Sequence, residues 1–163
     1  MSNEVELREL GFVGFLALEE LKRNLTAMPT GSGVYAVLYS RSDKPAFLTV
    51  STGGHHKGKD PSVSVAELDS RWVDGPSVVY YGKASASSPS RGLRTRFGEF
   101  LKFGAGKPVG HWGGRLTWQL PDTGDLIVCW KETPDSDPRA MEIEMIADFA
   151  NRFGKRPFAN IAA

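Results

Sequence analysis

Three short β-branched and aromatic runs limit what this chain can fold into: GVYAVLYS at 33–40, SVVYYGK at 77–83 and LIVCWK at 126–131. Each has strand length, and each is bounded by glycine, proline or acidic turn residues. They lie far apart, with helix signals of uneven length between them, so the regular strand–helix–strand rhythm of a parallel sheet is missing. The expected class is α+β, with a small, mainly antiparallel three-stranded sheet flanked by helices.

The intervening segments carry recognisable signals. Leu16 to Leu25 reads as a short amphipathic helix, stopped by Pro29 and the glycine turn before residue 33. Ala46 to Thr52 reads as a second extended run. Ser64 and Glu67 have capping-box spacing, so a short helix is expected over Val65–Val73, ended by Asp74-Gly75-Pro76. A Ser- and Pro-rich loop follows residue 83, and Arg91 to Phe103 reads as a helix with Leu93, Phe97, Phe100 and Leu101 on one side. Gly110 to Leu120 is open, because HWGG breaks a helix while RLTWQL fits either type. Arg139 to Phe153 is the clearest helix, with cap candidates Asp135 and Asp137 and Pro138 suited to its first turn. With 163 residues, one domain is expected over 1–163, with a helical extension at 1–32 and an insertion at 42–76.

Charge is informative by position. The net charge is only +1, yet residues 83–118 hold seven cations against Glu99 alone, and residues 119–138 hold one cation against five acids. A basic block inside a near-neutral domain suits a phosphate-facing surface, and a solvated basic helix face is the plain alternative. Glu4, Glu6 and Glu9 are unlike a secretory leader, and the apolar stretch at 12–18 is too short to span a bilayer. The single cysteine, Cys129, reads as a small buried hydrophobe and fits a reducing cytoplasm.

Few residues stand out for chemistry. On the last helix Met145, Ile146, Phe149, Ala150 and Phe153 form an apolar stripe with Glu142 near its centre, while Glu144 points away. A carboxylate on a buried face needs a cation, a metal or a donor, so Glu142 is either a buried salt-bridge partner or a site residue. Strand alternation groups Tyr35 with Val37 and Tyr39 and sends Tyr80 and Tyr81 to opposite faces. Gly82 is placed at the strand end, where a backbone can approach a ligand. The loop holding His55 and His56 reads as mobile. Trp72, Trp118 and Trp130 read as core, and Trp112 is a candidate for stacking on a base.

Taken in order, these pieces resemble the GIY-YIG nuclease family. Gly33-Val34-Tyr35 and Tyr80-Tyr81-Gly82 look like the two halves of its signature, and Lys83-Ala84 continues the second. Leu93 to Phe97 resembles the helix with the essential arginine, Leu126 to Glu132 the third strand, and the helix from Arg139 the one with the metal-binding glutamate. Phe158 to Ala162 resembles the closing asparagine segment. The resemblance implies a metal-dependent endonuclease acting on nucleic acid, DNA first, with Mg²⁺ or Mn²⁺ bound by Glu142. It further implies that Arg96 and Lys83 hold the scissile phosphate, that Tyr35 and Tyr80 line the site and one helps deprotonate water, and that Asn160 ties the tail to the site. A nuclease-like module that binds nucleic acid without cutting is the alternative. No membrane partner is expected.

Three departures from the family pattern matter. The tyrosine motifs are split by the long insertion, expected to be peripheral decoration on the sheet edge. The arginine lies farther beyond Gly82 than is common. Where many members carry His or Tyr four residues after the arginine, this chain has Phe100; His111, from the neighbouring loop, is the candidate substitute. Helical phase alone hardly separates Arg96 from Arg94.

Overall fold

In the computed structural model residues 3–85 and 91–161 are described. The Ser- and Pro-rich loop expected after Lys83 falls largely on residues 86–90, and the closing Ala162 lies beyond 161; both are outside the described residues. The elements are α1 (Glu4–Glu9), β1 (Val13–Ala17), α2 (Leu18–Arg23), β2 (Gly33–Leu38), α3 (Val65–Arg71), β3 (Val78–Ala84), α4 (Leu93–Gly104), β4 (Ile127–Glu132) and α5 (Pro138–Phe153). The 3-10 segments Leu25–Ala27, Trp112–Gln119 and Thr123–Asp125 are among the connections within the described residues.

The chain is α+β, but its sheet has four strands, in the order β1-β4-β2-β3, with every pairing antiparallel. The additional strand is β1, formed where a helix start was expected, so the first 32 residues are not purely helical. VGFLA hides its nature: Gly14 and Phe15 both take positive φ, and the register with β4 shifts between Gly14 and Leu16. The bulge breaks the period of two that marks a strand in sequence.

Central strand β2 is buried along its whole length, and alternation sends its side chains to two cores. One holds Tyr35, Val37 and Tyr39 with Tyr80, Phe97, Phe100 and Trp118; the other holds Val34, Ala36 and Leu38 with Tyr81, Cys129, Ile146 and Phe149. Burying an aliphatic or Phe side chain contributes about 1.5–3 kcal/mol, so these opposed layers fix the register. Cys129 sits in the second core, and burial pushes its thiol up to about 12.

Local chemistry sets α5. The Asp137 carboxylate accepts from Arg139 N at 3.0 Å, Pro138 occupies the first turn, and Gly154 closes the helix at φ +80°.

The segment 42–76 packs into the domain. Ala46–Thr52 forms no strand; instead Leu48 N donates to Gln119 O and Thr52 N to Trp118 O, at 2.8 and 3.1 Å. The buried Gln119 amide donates to Leu48 O and Val63 O and accepts from Val63 N. Leu68 and Trp72 enter the first core, and Phe47 stacks on Phe158 at 5.4 Å. A buried glutamine with every amide position satisfied locks the segment to the domain. The loop read as mobile is likewise anchored, by Gly54 N donating to Phe103 O and by a tight turn from His56 to Lys59.

Candidate active site

Most of the candidate residues meet at one small cavity. Its volume is about 190 Å³, and its walls include Tyr35, Tyr80, Lys83, Arg96, Glu142 and Asn160, with Gly113 and Ile146 completing the lining. Six separate parts of the chain supply them: β2, β3, α4, the 3-10 segment from Trp112, α5 and the C-terminal tail.

Tyr35 and Tyr80 come from neighbouring strands, with ring centroids 6.0 Å apart. Tyr35 lies directly across from Gly82 in the β2–β3 register. A Cβ at Gly82 would run into the Tyr35 ring. Gly82 therefore does not end the strand or admit a ligand; β3 continues to Ala84, and the glycine makes room for a tyrosine. Both phenols are shifted upward by burial, Tyr35 well above 10 and Tyr80 to about 12, with Tyr80 and Glu142 as the next respective causes. Both are therefore protonated at neutral pH.

The arginine pair is resolved by contacts. Arg94 donates from Nε to Met28 O at 2.9 Å and from Nη2 to Thr26 O at 3.1 Å, pinning the chain ahead of β2. Arg96 turns to the cavity. Its Nη1 donates to Gly110 O at 3.0 Å and to Glu99 Oε2 at 3.2 Å. Both bonds use Nη1, so the outer part of the fork is available to an anion. Glu99 and Gly113 had no signal beyond their neighbourhood in sequence.

Glu142 is half-buried, on the face of α5 that also carries the buried Ile146 and Phe149. Burial raises its pKa, and Lys83, Arg96 and Arg139 oppose the rise. Among the described residues no cation comes within ion-pair distance of it, so the salt-bridge reading does not hold there. Lys83 is half-exposed beside it and also makes no ion pair among the described residues. Glu144 is exposed and faces a different groove.

His111 is the least expected placement. It is only 1% exposed, and its Nε2 lies 3.1 Å from the Tyr35 hydroxyl in a hydrogen bond. Its ring sits 4.7 Å from that of Phe100, which in turn stacks on Tyr80 at 5.7 Å. Phe100 thus packs behind the tyrosines while a histidine from the loop reaches the hydroxyl. Burial, followed by the Arg96 charge, depresses His111 to about 3, so it is neutral at physiological pH. Asn160 pairs with the open side of β3 as another strand would: Tyr81 N donates to its Oδ1 and its Nδ2 donates to Tyr81 O, both at 2.9 Å.

His55 and His56 do not reach this cavity; the His56 ring lies 6.0 Å from that of Trp112. Trp112 is half-buried, with the Arg115 guanidinium 4.4 Å above its ring. Trp72, Trp118 and Trp130 are core.

Among the described residues, no group of three or more His, Cys, Asp or Glu side chains could hold a metal together. The cavity instead offers one carboxylate beside neutral phenols. That donor set suits a hard divalent cation keeping a mainly aqueous shell, and not a zinc-type cage. No described helix is long and apolar enough to cross a membrane. Compared with protein-family models, curated proteins and solved structures, the chain matches none of them.

Proposed function

We propose that this chain is a GIY-YIG-type endonuclease that hydrolyses a phosphodiester bond of nucleic acid, DNA in the first instance, with Mg²⁺ or Mn²⁺ held at Glu142. The observation that carries the reading is the convergence of Tyr35, Tyr80, Lys83, Arg96, Glu142 and the tail residue Asn160 on one cavity. Residues so far apart in sequence meet around a space suited to a phosphate group, lined by two cations and a lone carboxylate.

The metal, when bound, supplies Lewis-acid stabilisation of charge on the reacting phosphate oxygens. The chain's own residues do the rest. Glu142 offers a half-buried carboxylate that faces two cations without being captured by either. Arg96, steadied by Gly110 and Glu99, presents its free edge to the phosphate, where preorganised charge lowers the barrier most. Lys83 adds a second positive charge. Neither phenol is ionised at rest, so a tyrosine that takes a proton from water must pass its own onward. Tyr35 has a hydrogen-bond partner in place, His111 Nε2, which accepts from the phenol in the Nδ1-protonated tautomer, and we assign the relay to that pair. A bound phosphate also offsets the Arg96 charge that helps hold His111 down, which raises the basicity of His111 when substrate is present. Asn160 holds the tail against β3 and so keeps that wall of the cavity closed.

Incubation with supercoiled plasmid, single-stranded DNA and structured RNA, each in Mg²⁺, in Mn²⁺ and in EDTA, tests the proposal. Metal-dependent nicking or cutting is expected, lost in EDTA. Binding without any cutting would move the assignment to a silent nucleic-acid module.

A further inference from the structure

Next to the candidate active site lies a second concavity, of about 180 Å³, between the end of α3 and the C-terminal tail. Arg71, Lys155 and Arg156 line it, no acidic side chain does, and Asn160 borders both it and the Tyr35–Glu142 cavity. The Asn160 amide is committed at both ends to Tyr81, so it forms a fixed wall between the two spaces.

The cations here are poorly compensated. Arg71 Nε is buried and has no hydrogen-bond partner among the described residues, and Glu67 stands 3.5 Å away as the one acid paired with it. Lys155 Nζ donates to Ser70 O and Trp72 O, capping the end of α3, and Arg156 donates to Ile161 O. Those carbonyls orient the ammonium and guanidinium groups without neutralising them. Arg115 stands close enough for the Arg71 charge to add to the burial that lowers its pKa. A buried donor whose ion-pair partner stands 3.5 Å off without a formed hydrogen bond, and a set of like charges, both cost free energy, and an anion with several oxygens relieves both.

We propose that this concavity is a second phosphate subsite, holding a backbone phosphate that neighbours the one cut, so that the substrate strand runs past Asn160 from one cavity to the next. It rests on the nucleic-acid reading above and adds a role for α3, within the segment between the two tyrosine motifs. The subsite contributes to strand binding and register, and it contains no group that acts on the reacting bond.

Fluorescence anisotropy with a labelled oligonucleotide duplex, on a Glu142→Gln background that prevents cutting, separates the possibilities. Arg71→Gln and Arg156→Gln should each weaken binding about tenfold at low salt and reduce the salt slope by roughly one. Arg41→Gln, an exposed change at residues paired with Asp122 and Asp125, should do neither. In otherwise unaltered enzyme the same two changes should raise KM and leave kcat within about threefold. Arg156 is exposed, so its variant stays informative even where Arg71→Gln lowers the melting temperature. Parent-like affinity and salt slope in both variants would overturn the subsite and leave the nuclease reading standing. Arg71-dependent binding of inorganic phosphate with unchanged oligonucleotide binding would mark a free-phosphate site and overturn the strand assignment. No oligonucleotide binding by Glu142→Gln or by the parent chain would sink both readings together.

Discussion

The two glutamates of helix α5 face two different cavities. Glu142 faces the small polar one shared with Tyr35, Tyr80, Lys83 and Arg96. Glu144 faces a groove of about 500 Å³ whose walls include Leu10, Phe12, Met141 and Met145. The larger space holds one cation, Lys131, and its ammonium already donates to Leu10 O at 2.6 Å. Met145 lies on the Glu144 side, while Ile146 accompanies Glu142. Size and apolar lining do not make a catalytic site here; convergent, incompletely partnered polar groups do.

The sharpest way to break this contrast is to neutralise each carboxylate in turn. Glu142→Gln should abolish metal-dependent cleavage, whereas Glu144→Gln should cut like the parent, as measured by plasmid nicking. Because burial raises the Glu142 pKa, its folded state holds the proton more tightly than the unfolded chain. Its ionised form therefore costs stability as pH rises through the carboxylate range, and Glu142→Gln should melt at or above the parent temperature at neutral pH. A dead Glu144→Gln with a competent Glu142→Gln would reverse the assignment of the two cavities.

The next largest effect separates the arginines. Arg96→Ala should lower kcat by about 10²–10³. Arg94→Ala should retain most activity yet lose about 1–3 kcal/mol of stability, since two main-chain carbonyls lose their donor. Equal kinetic losses would show that the cavity depends on the Met28 turn as much as on a phosphate contact.

His111 gives a smaller kinetic effect and a distinctive pH profile. His111→Gln should reduce kcat by no more than the ~10² typical of a proton-transfer group. Its folded pKa, about 3, lies below the ordinary imidazole value of 6.5, so the unfolded state binds more protons between those limits. Parent stability should fall as pH drops from 6.5 toward 3, by at most about 1.4 kcal/mol per pH unit, and the variant should lose this dependence. Parallel melting curves for the two would remove His111 from its buried, neutral position.

The smallest effect belongs to the loop 53–59. Replacing it with a short Gly/Ser linker should leave metal-dependent cutting largely intact, because His55 and His56 do not reach the cavity and loop length costs little. The contact from Gly54 N to Phe103 O would be lost, so a modest drop in melting temperature is expected. Loss of cutting in a folded variant would bring those histidines back into the chemistry.

Much of this was readable from sequence where the determining physics is local. A period of two grouped Tyr35 with Val37 and Tyr39 and sent Tyr80 and Tyr81 to opposite faces; the packing showed that Tyr80 is the one on the Tyr35 side. Cap residues placed α5 to within a residue of its start, and about 200° of rotation between Glu142 and Glu144 sent them to different sides. The tertiary structure decided the rest. Strand β1 lacks a clean alternation because its bulge interrupts it, and the segment 42–76 joins the core through Gln119 and Trp72, contacts that no short-range pattern encodes. Arg94 and Arg96 lie about 200° apart, flanking the apolar stripe of α4 on either side, and only the chain packed beside each separates an anchor from a site residue. His111 sits on a stretch without periodicity and meets Tyr35, 76 positions away, only because Phe100 and the 3-10 segment pack it there. Periodicity fixes which face a side chain takes, whereas convergence of distant side chains depends on how those faces pack.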